Sequence, residues 1–184
     1  GSSGISQSGT GSSFLNQTNG FMQINRSATG LLLFTNTNFS NSGIIEIGNV
    51  VGIRGTGLSQ SSSSIFTNQI GAILKINLTG VGVTTGHGIA LSSSASISNA
   101  GTIHVGNTGP IKTNGIQLFI LSTFTNTSTG VFNIDNTLGL FAILPKSGPT
   151  FNNQGQLNIG ATVQVNNGIG DNAGTGGTVA NTGS

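Results

Sequence analysis

The side chains that could perform catalysis or bind a metal are few in this sequence. The 184 residues contain three acids (Glu46, Asp135 and Asp171), two histidines and no cysteine. Polysaccharide lyases and hydrolases need clustered carboxylates, which bind calcium or act as an acid–base pair. The three acids are instead far apart in the chain and share no local motif. The sequence therefore predicts no catalytic site, no metal site and no cofactor, and it favours a protein that is not an enzyme.

Two of the charged residues fit an ion pair on the protein surface. Glu46 and Lys75 occupy equivalent positions one repeat apart, each between two apolar residues of a predicted strand. Both side chains should therefore point outward. We expect an exposed pair between neighbouring strands, worth about 0–1 kcal/mol.

The other acids and histidines fit structural roles as well. Asp135 follows a predicted strand, at the position that Asn25 and Asn77 occupy in other repeats, and we expect it to be a turn residue. His104 falls in the same outward column as Glu46 and Lys75, whereas His87 falls in a loop. Two single histidines on different faces do not predict a metal site. No histidine and acid are in register with a serine, which argues against a catalytic triad.

A sixfold repeat must position all of these residues. Each repeat has an apolar residue, an asparagine two residues later, a glycine, and then two apolar residues separated by one position. The intervals between successive asparagines are 25, 27, 31, 27 and 27 residues. A repeat of this length with an internal period of two predicts stacked turns of β-strands. The apolar positions are Phe14, Phe39, Phe66, Ile97, Phe124 and Phe151, and the asparagines are Asn16, Asn41, Asn68, Asn99, Asn126 and Asn153.

A third apolar position predicts a third strand in every turn. It lies eight residues before the next Phe or Ile of the repeat, and its first and last occurrences are Leu31 and Ile143. The spacing between the second and third strands varies instead, from 7 residues (Ile24 to Leu31) to 13 (Ile76 to Ile89). Variation confined to one corner marks the loop side of a solenoid, which is often its binding face.

Together these patterns predict an all-β, single-domain parallel β-helix (β-solenoid), with about six to seven coils of 25–31 residues. Each coil is too small to be stable alone, so stacking must bury its interior. The six Phe and Ile positions should form an inward core stack. The six asparagines should form a side-chain ladder, each amide bonded to the next at about 4.7–4.8 Å. Coils of this length with unequal turns favour a right-handed helix.

The repeated pattern, as in Phe39 to Ile47, resembles the right-handed parallel β-helix repeats of bacterial surface adhesins and autotransporter-like exoproteins. The resemblance extends over nearly the whole chain. It implies an extracellular or cell-surface location. Because the shared motif is structural, it implies no particular ligand.

Composition excludes two classes of partner. Charged residues make up 4% of the chain, and the formal net charge of +2 is too small to predict nucleic-acid binding. No apolar run approaches the roughly 20 residues that a membrane-spanning helix needs, so we predict no membrane insertion.

The predicted domain covers residues 1–184, with a Gly/Ser-rich lead at 1–13, six repeats at 14–178 and the start of an incomplete coil at 179–184. Ile5 lies nine residues before Phe14, and Val179 and Asn181 restart the repeat. We therefore expect the chain to begin and end within a coil, without polar caps. Uncapped coils expose strand edges, which favours a head-to-tail homopolymer.

Two functions are expected from these features. The first is a structural subunit of an extracellular fibre, with Ile5, Val179 and Asn181 at the assembling ends. The second is an adhesin stalk segment that binds a glycan or a cell surface through basic loop residues. A carbohydrate-active enzyme is disfavoured by the scarcity of acids. Ice binding is a minor hypothesis, because the outward row of hydroxyls is interrupted; that row is Leu15, Ser40, Thr67, Ser98, Thr125 and Asn152. The candidate binding edge consists of Arg26, Arg54, His87 and Lys112.

Overall fold

Short parallel β-strands form all of the regular secondary structure in the computed structural model, which describes residues 2–83, 85–139, 141–170 and 177–184. They are arranged in three sheets, A, B and C. Sheet A contains β1 (Ile5–Gln7), β4 (Leu31–Leu33), β7 (Leu58–Gln60), β10 (Ile89–Leu91), β13 (Ile116–Leu118) and β16 (Ile143–Pro145). Sheet B contains β2 (Ser13–Asn16), β5 (Asn38–Asn41), β8 (Ile65–Asn68), β11 (Ser96–Asn99), β14 (Thr123–Asn126), β17 (Thr150–Asn153) and β19 (Thr178–Asn181). Sheet C contains β3 (Phe21–Ile24), β6 (Ile44–Ile47), β9 (Ile73–Ile76), β12 (Thr102–Val105), β15 (Val131–Ile134) and β18 (Gln156–Ile159).

The chain runs through sheets B, C and A in turn, and each strand pairs in parallel with the strand of the same sheet one coil later. The prediction of an all-β solenoid of about six coils is therefore confirmed. We number the coils 1 to 6 by their sheet B strands, from β2 to β17. Strand β1 precedes coil 1, and β19 begins a seventh coil by pairing with β17. Within this stack the variable segments all lie at the corner between sheets C and A, which we call the variable corner.

The core is a column of apolar side chains that runs the length of the stack. Phe66 and Phe124 are fully buried. The rings of Phe39 and Phe66 lie 5.4 Å apart, and those of Phe124 and Phe151 lie 5.2 Å apart. Strand pairing aligns all six predicted core positions and extends the column to Val179.

Phe14 differs from the other members of the predicted core stack. Its ring stacks on Phe39 with a centroid distance of 4.7 Å, so it has the expected inward register. It is nevertheless 38% exposed, whereas Phe39 is 1% exposed. The reason is that β2 is an edge strand of sheet B and packs against a coil on one side only.

The corner between sheets A and B explains why the spacing of eight residues from the third strand of a coil to the next Phe or Ile is constant. Two consecutive residues have positive φ at four of these corners, as in Ser62 and Ser63 (54° and 57°) and Ser93 and Ser94 (52° and 63°), whereas the corner after β13 has a positive φ at Leu121 (56°) but not at its neighbours. Short polar side chains tolerate this left-handed conformation better than bulky apolar ones do.

The Gly/Ser-rich lead also contains more structure than its composition suggests. Its β1 pairs with β4, with Ile5 aligned to Leu31.

We expect Phe124→Ala to destabilise the protein by about 3–5 kcal/mol, because it leaves a cavity between Phe132 and Phe151, which both pack on this ring. Ile70→Ala is a matched control, since Ile70 is 75% exposed and its truncation should change stability by less than about 0.5 kcal/mol. Denaturant unfolding followed by circular dichroism measures both. Equal midpoints for the two variants would contradict the packing described above.

Candidate functional site

The asparagines of the repeat form one continuous hydrogen-bonded ladder. The Nδ2 of each donates to the Oδ1 of the asparagine in the next coil, at 2.7–2.9 Å, from Asn16 through to Asn181. The five members from Asn41 to Asn153 are fully buried, and Asn16 is 7% exposed. Because the donor always points toward the following coil, the ladder has a direction.

Each ladder amide also satisfies backbone groups at the corner between sheets B and C. Asn126 Nδ2 donates to the carbonyl oxygens of Gly130 (3.1 Å) and Gln156 (3.0 Å). Asn99 Nδ2 likewise donates to Val131 O (3.1 Å). The ladder therefore ties two coils together at the point where the backbone leaves sheet B, where carbonyls would otherwise be buried without a donor.

The candidate binding edge is only partly assembled. Arg26, Arg54 and Lys112 are exposed at the variable corner, but His87 is half-buried. The backbone N–H of Arg54 donates to Ser27 O at 2.9 Å, so Arg54 is not aligned with Arg26. The expected set of four cations is thus reduced to three arginine and lysine side chains that do not form a single row.

His87 is a structural residue of the variable corner. The Asn114 N–H donates to His87 Nδ1 at 3.4 Å, and the Thr113 hydroxyl lies 2.8 Å from the same nitrogen. Burial of the ring, reinforced by the positive charge of Lys146, lowers the pKa of His87 from 6.5 to about 4. The imidazole is therefore neutral at pH 7 and contributes no positive charge to the edge.

Arg54 lines a shallow cleft of about 360 Å³ on the outside of the variable corner. Its other lining residues are Ala28, Gly55, Val83 and Thr85. The cleft thus combines one guanidinium group, one hydroxyl and two small apolar side chains.

Glu46 and Lys75 form the expected ion pair, with Lys75 Nζ 3.0 Å from Glu46 Oε1. The pair is less exposed than predicted, because Glu46 is only 8% exposed while the Lys75 side chain remains one-third exposed. Asn49 lies at the start of the variable corner, and its Nδ2 donates a hydrogen bond to Glu46 Oε2 at 2.8 Å. This contact covers the carboxylate oxygen that Lys75 does not bind.

Asp135 is more than a turn residue, because it holds the loop of the following coil. Its carboxylate accepts hydrogen bonds from Thr162 N (3.0 Å), Thr162 Oγ1 (2.8 Å) and Val163 N (3.3 Å), and its Oδ2 lies 3.1 Å from His104 Nε2. Burial alone would raise the pKa of Asp135, but the hydrogen bonds from Thr162, His104 and Val163 outweigh it and hold the pKa below its ordinary value. Sequence reasoning missed the pairing with His104.

The residue that follows each sheet C strand alternates between two kinds. Asn25, Asn77 and Asp135 follow the strand in coils 1, 3 and 5, and each accepts backbone N–H groups from the loop one coil later. In coils 2 and 4 the position is Gly48 and Gly106, with φ of 68° and 81°. A Cβ at either glycine would overlap the carbonyl oxygen of the Asn77 or Asp135 above it. The position after sheet C therefore repeats every second coil, whereas the strand pairing and the asparagine ladder repeat in every coil. The sequence carried this signal, since glycine also fills the position in coil 6 (Gly160).

The residues expected at the assembling ends lie on edge strands of different sheets. Ile5 is in β1 of sheet A, whereas Val179 and Asn181 are in β19 of sheet B. Val179 is 40% exposed. Asn181 accepts the last ladder bond, from Asn153 at 2.7 Å.

No group of three or more metal-ligating side chains is found within the described ranges, and Asp171 lies outside them. No helix in the described part of the chain is long and apolar enough to span a bilayer. The outward row on sheet B is in register from Leu15 to Asn152.

No family model matches the chain, and comparison with curated proteins and with solved structures likewise finds no match.

We expect Asn126→Ala to destabilise the protein by about 1–3 kcal/mol, because it leaves buried groups of Asn99, Asn153 and the backbone without partners. Asn152→Ala is the control, since that side chain points outward one coil above Thr125. In thermal unfolding measurements, Asn126→Ala should have a lower midpoint than the parent protein, and Asn152→Ala should have the same midpoint as the parent. Equal midpoints would mean that the ladder does not stabilise the stack.

We expect acid to destabilise the protein between pH 6.5 and about pH 4. His87 binds its proton more readily in the unfolded chain, so its contribution is complete above pH 6.5 and lost as the pH falls to about 4, by up to about 3 kcal/mol. Chemical denaturation across this range should show a slope that His87→Gln removes. The Asp135 carboxylate, with its lowered pKa, loses its contribution only at lower pH, so Asp135→Asn should keep the slope. An unchanged slope in His87→Gln would contradict the prediction.

Proposed function

We propose that this chain is a structural subunit of an extracellular or cell-surface fibre, which extends by stacking the coils of one copy on those of another. The observation that carries the proposal is the direction of the asparagine ladder. Asn181 Nδ2 has no acceptor, and Asn16 Oδ1 has no asparagine donor, among the described residues. The two ends of the ladder are thus complementary, as a head-to-tail contact requires.

The end faces support the same interpretation. Edge strands present unpaired backbone N–H and C=O groups, which favour pairing with another strand. At one end Phe14 and Phe21 are 38% and 61% exposed, and at the other Val179 is 40% exposed. Covering these side chains and pairing the strand edges would stabilise a stacked assembly through the interactions that join coils within one chain.

The charges support a structural role more than a catalytic one. Glu46 is paired with Lys75 and covered by Asn49, and the Asp135 carboxylate is occupied by a loop and by His104. An end-to-end contact that contains neither ion pair would be nearly uncharged. Raised salt should therefore leave it intact, because screening acts on charged contacts.

A second candidate is a stalk segment of a surface adhesin that binds an acidic glycan, which the resemblance of the repeat to adhesin and autotransporter-like repeats also supports. The observation in its favour is the cleft beside Arg54. Arg26 and Lys112 are exposed at the same corner, and no ion pair within the described residues neutralises any of these three cations.

The fibre proposal predicts concentration-dependent filaments of this chain in negative-stain microscopy and sedimentation, at low salt and at 1 M salt alike. Phe14→Lys places a charge on the end face and should abolish the filaments. Val50→Lys, on a side loop where Val50 is 66% exposed, should leave them unchanged. A monodisperse monomer at every concentration would overturn the fibre proposal and favour the adhesin stalk.

A further inference from the structure

The corner between sheets B and C differs between odd and even coils. After the ladder asparagine, four residues lead to sheet C in coils 1, 3 and 5, whereas two residues do so in coils 2, 4 and 6. Each four-residue segment is a turn closed by a backbone hydrogen bond, as from Ala72 N to Gln69 O at 3.0 Å. The turns of the odd coils therefore project beyond the short connections of the even coils. These turns are residues 17–20, 69–72 and 127–130.

A notch lies between the projecting turns of coils 1 and 3, at the level of coil 2. These two turns are two coils, or roughly 9–10 Å, apart, so the place that a third turn would take is open. The notch has a volume of about 390 Å³, which falls within the range of small-molecule binding sites. Its lining residues are Thr18, Ser42, Gln69, Ile70 and Gly71.

The equivalent space at coil 4 is filled by the chain itself. Thr129, the third residue of the coil 5 turn, donates its hydroxyl to Ala100 O at 3.0 Å. The third residue of the coil 3 turn is Gly71, where a Cβ would meet no atom within 4 Å. The Ser42 carbonyl, which is equivalent to that of Ala100, consequently has no donor among the described residues. The notch at coil 2 thus lacks the hydroxyl group that fills the space at coil 4.

The side chains around the notch are mostly polar, and several of their hydrogen-bonding groups are unused. The hydroxyls of Thr18 and Ser42 form no hydrogen bond within the described part of the chain. Gln69 Nε2 donates to Ser40 Oγ at 3.1 Å, which leaves Gln69 Oε1 as an acceptor. Ile70 is exposed and adds an aliphatic surface. Among the described residues, no charged side chain lines the notch.

A second depression adjoins the notch on the outer face of sheet B, and Gln69 lines both. Its volume is about 400 Å³, and it is lined in part by Ser40 of coil 2 and by Ile65 and Thr67 of coil 3. Ile65 is exposed, as Ile70 is. Hydroxyls and aliphatic side chains thus continue from the notch onto the sheet, and a chain-like ligand can contact both depressions.

We propose that the notch and the adjoining depression bind a neutral glycan, one hydroxyl of which donates to Ser42 O as Thr129 does to Ala100 O. A glycan hydroxyl both donates and accepts hydrogen bonds, which suits the free hydroxyl of Ser42 and the free acceptor of Gln69. The C–H groups of a sugar ring can pack on Ile70, because removing apolar surface from water is favourable. The site lies within one copy, so it does not rest on the fibre proposal.

Other classes of ligand fit this surface less well. An acidic glycan or a nucleic acid requires positive charge, and no cation lines either depression within the described ranges. A peptide that binds as an added strand requires a free sheet edge, whereas β5 and β8 are each paired on both sides. The site therefore differs in position and in ligand from the cleft beside Arg54.

Isothermal titration calorimetry with a panel of neutral oligosaccharides tests the proposal. The panel contains oligomers of glucose, mannose, galactose, xylose and N-acetylglucosamine, and we expect the parent chain to bind at least one of them. Gln69→Ala removes an acceptor and should weaken this binding roughly three- to tenfold. Gly71→Asn should weaken it as well, because the amide occupies the notch. This variant should fold, since asparagine is the third residue of the coil 1 turn, with a positive φ of 64° at Asn19.

Two control variants should bind as the parent does. Ser128→Ala changes the coil 5 residue equivalent to Ile70, and Arg54→Gln changes the cleft at the variable corner. Failure of every neutral oligosaccharide to bind at millimolar concentration would overturn the proposal. Binding that persists undiminished in both Gln69→Ala and Gly71→Asn would also overturn it. So would binding of an oligogalacturonate alone, which would favour the cleft beside Arg54.

Discussion

Each coil must be covered by the next, and the rest of the structure depends on that constraint. Three strands of three or four residues enclose too little apolar surface to fold alone, so the free energy of the fold comes from stacking. Stacking in turn buries the corner where the backbone leaves sheet B, and its carbonyls need donors. The asparagine ladder supplies them from inside the coil. The same amide also bonds to the next coil, so one side chain meets a local and a long-range requirement at once.

Scarcity of charge follows from the same constraint. A side chain in a stacked column lies about 4.7–4.9 Å from the side chains at the equivalent positions of the coils above and below, and like charges at that distance repel each other. Neutral amides and hydroxyls can repeat indefinitely, whereas a charge needs an opposite partner in the next coil. Glu46 meets this condition through Lys75 in the next coil, and the Asp135 carboxylate is satisfied by hydrogen bonds to His104 and to the loop at Thr162 and Val163. Arg26, Arg54 and Lys112 lie at the variable corner, where columns are interrupted and repulsion is weaker. Lys146 directly follows β16, and its Nζ lies 5.7 Å from the centroid of the Phe119 ring.

The columns could be predicted from the sequence because they repeat at fixed spacings, which is why the three strands per coil, the Phe14 to Phe151 register and the buried asparagines were all readable. The contacts of His87 and Asp135 could not be predicted, because both lie at the variable corner, where loop length changes from coil to coil. A histidine in a polar loop looks exposed in sequence, yet here the neighbouring coil covers about half of it, and Thr113 and Asn114 bind its Nδ1. The two-coil alternation was readable but needs comparison of every second repeat: Asn25, Asn77 and Asp135 against Gly48, Gly106 and Gly160.

That alternation shows how a solenoid can carry an irregular loop without losing its regular interior. In the odd coils an amide or carboxylate oxygen after sheet C binds the backbone of the loop above, which fixes where that loop begins. In coils 2 and 4 the missing side chain of Gly48 or Gly106 leaves room for the backbone carbonyl of the coil above. Because one residue in each coil sets one of these two conditions, the loop beyond it is free to differ in length and composition. A surface that changes along the axis, while the asparagine ladder stays constant, can accept substitutions that alter binding without altering the stack. Among the described residues, the variable corner is therefore where the coils differ most, and the asparagine ladder is where they differ least.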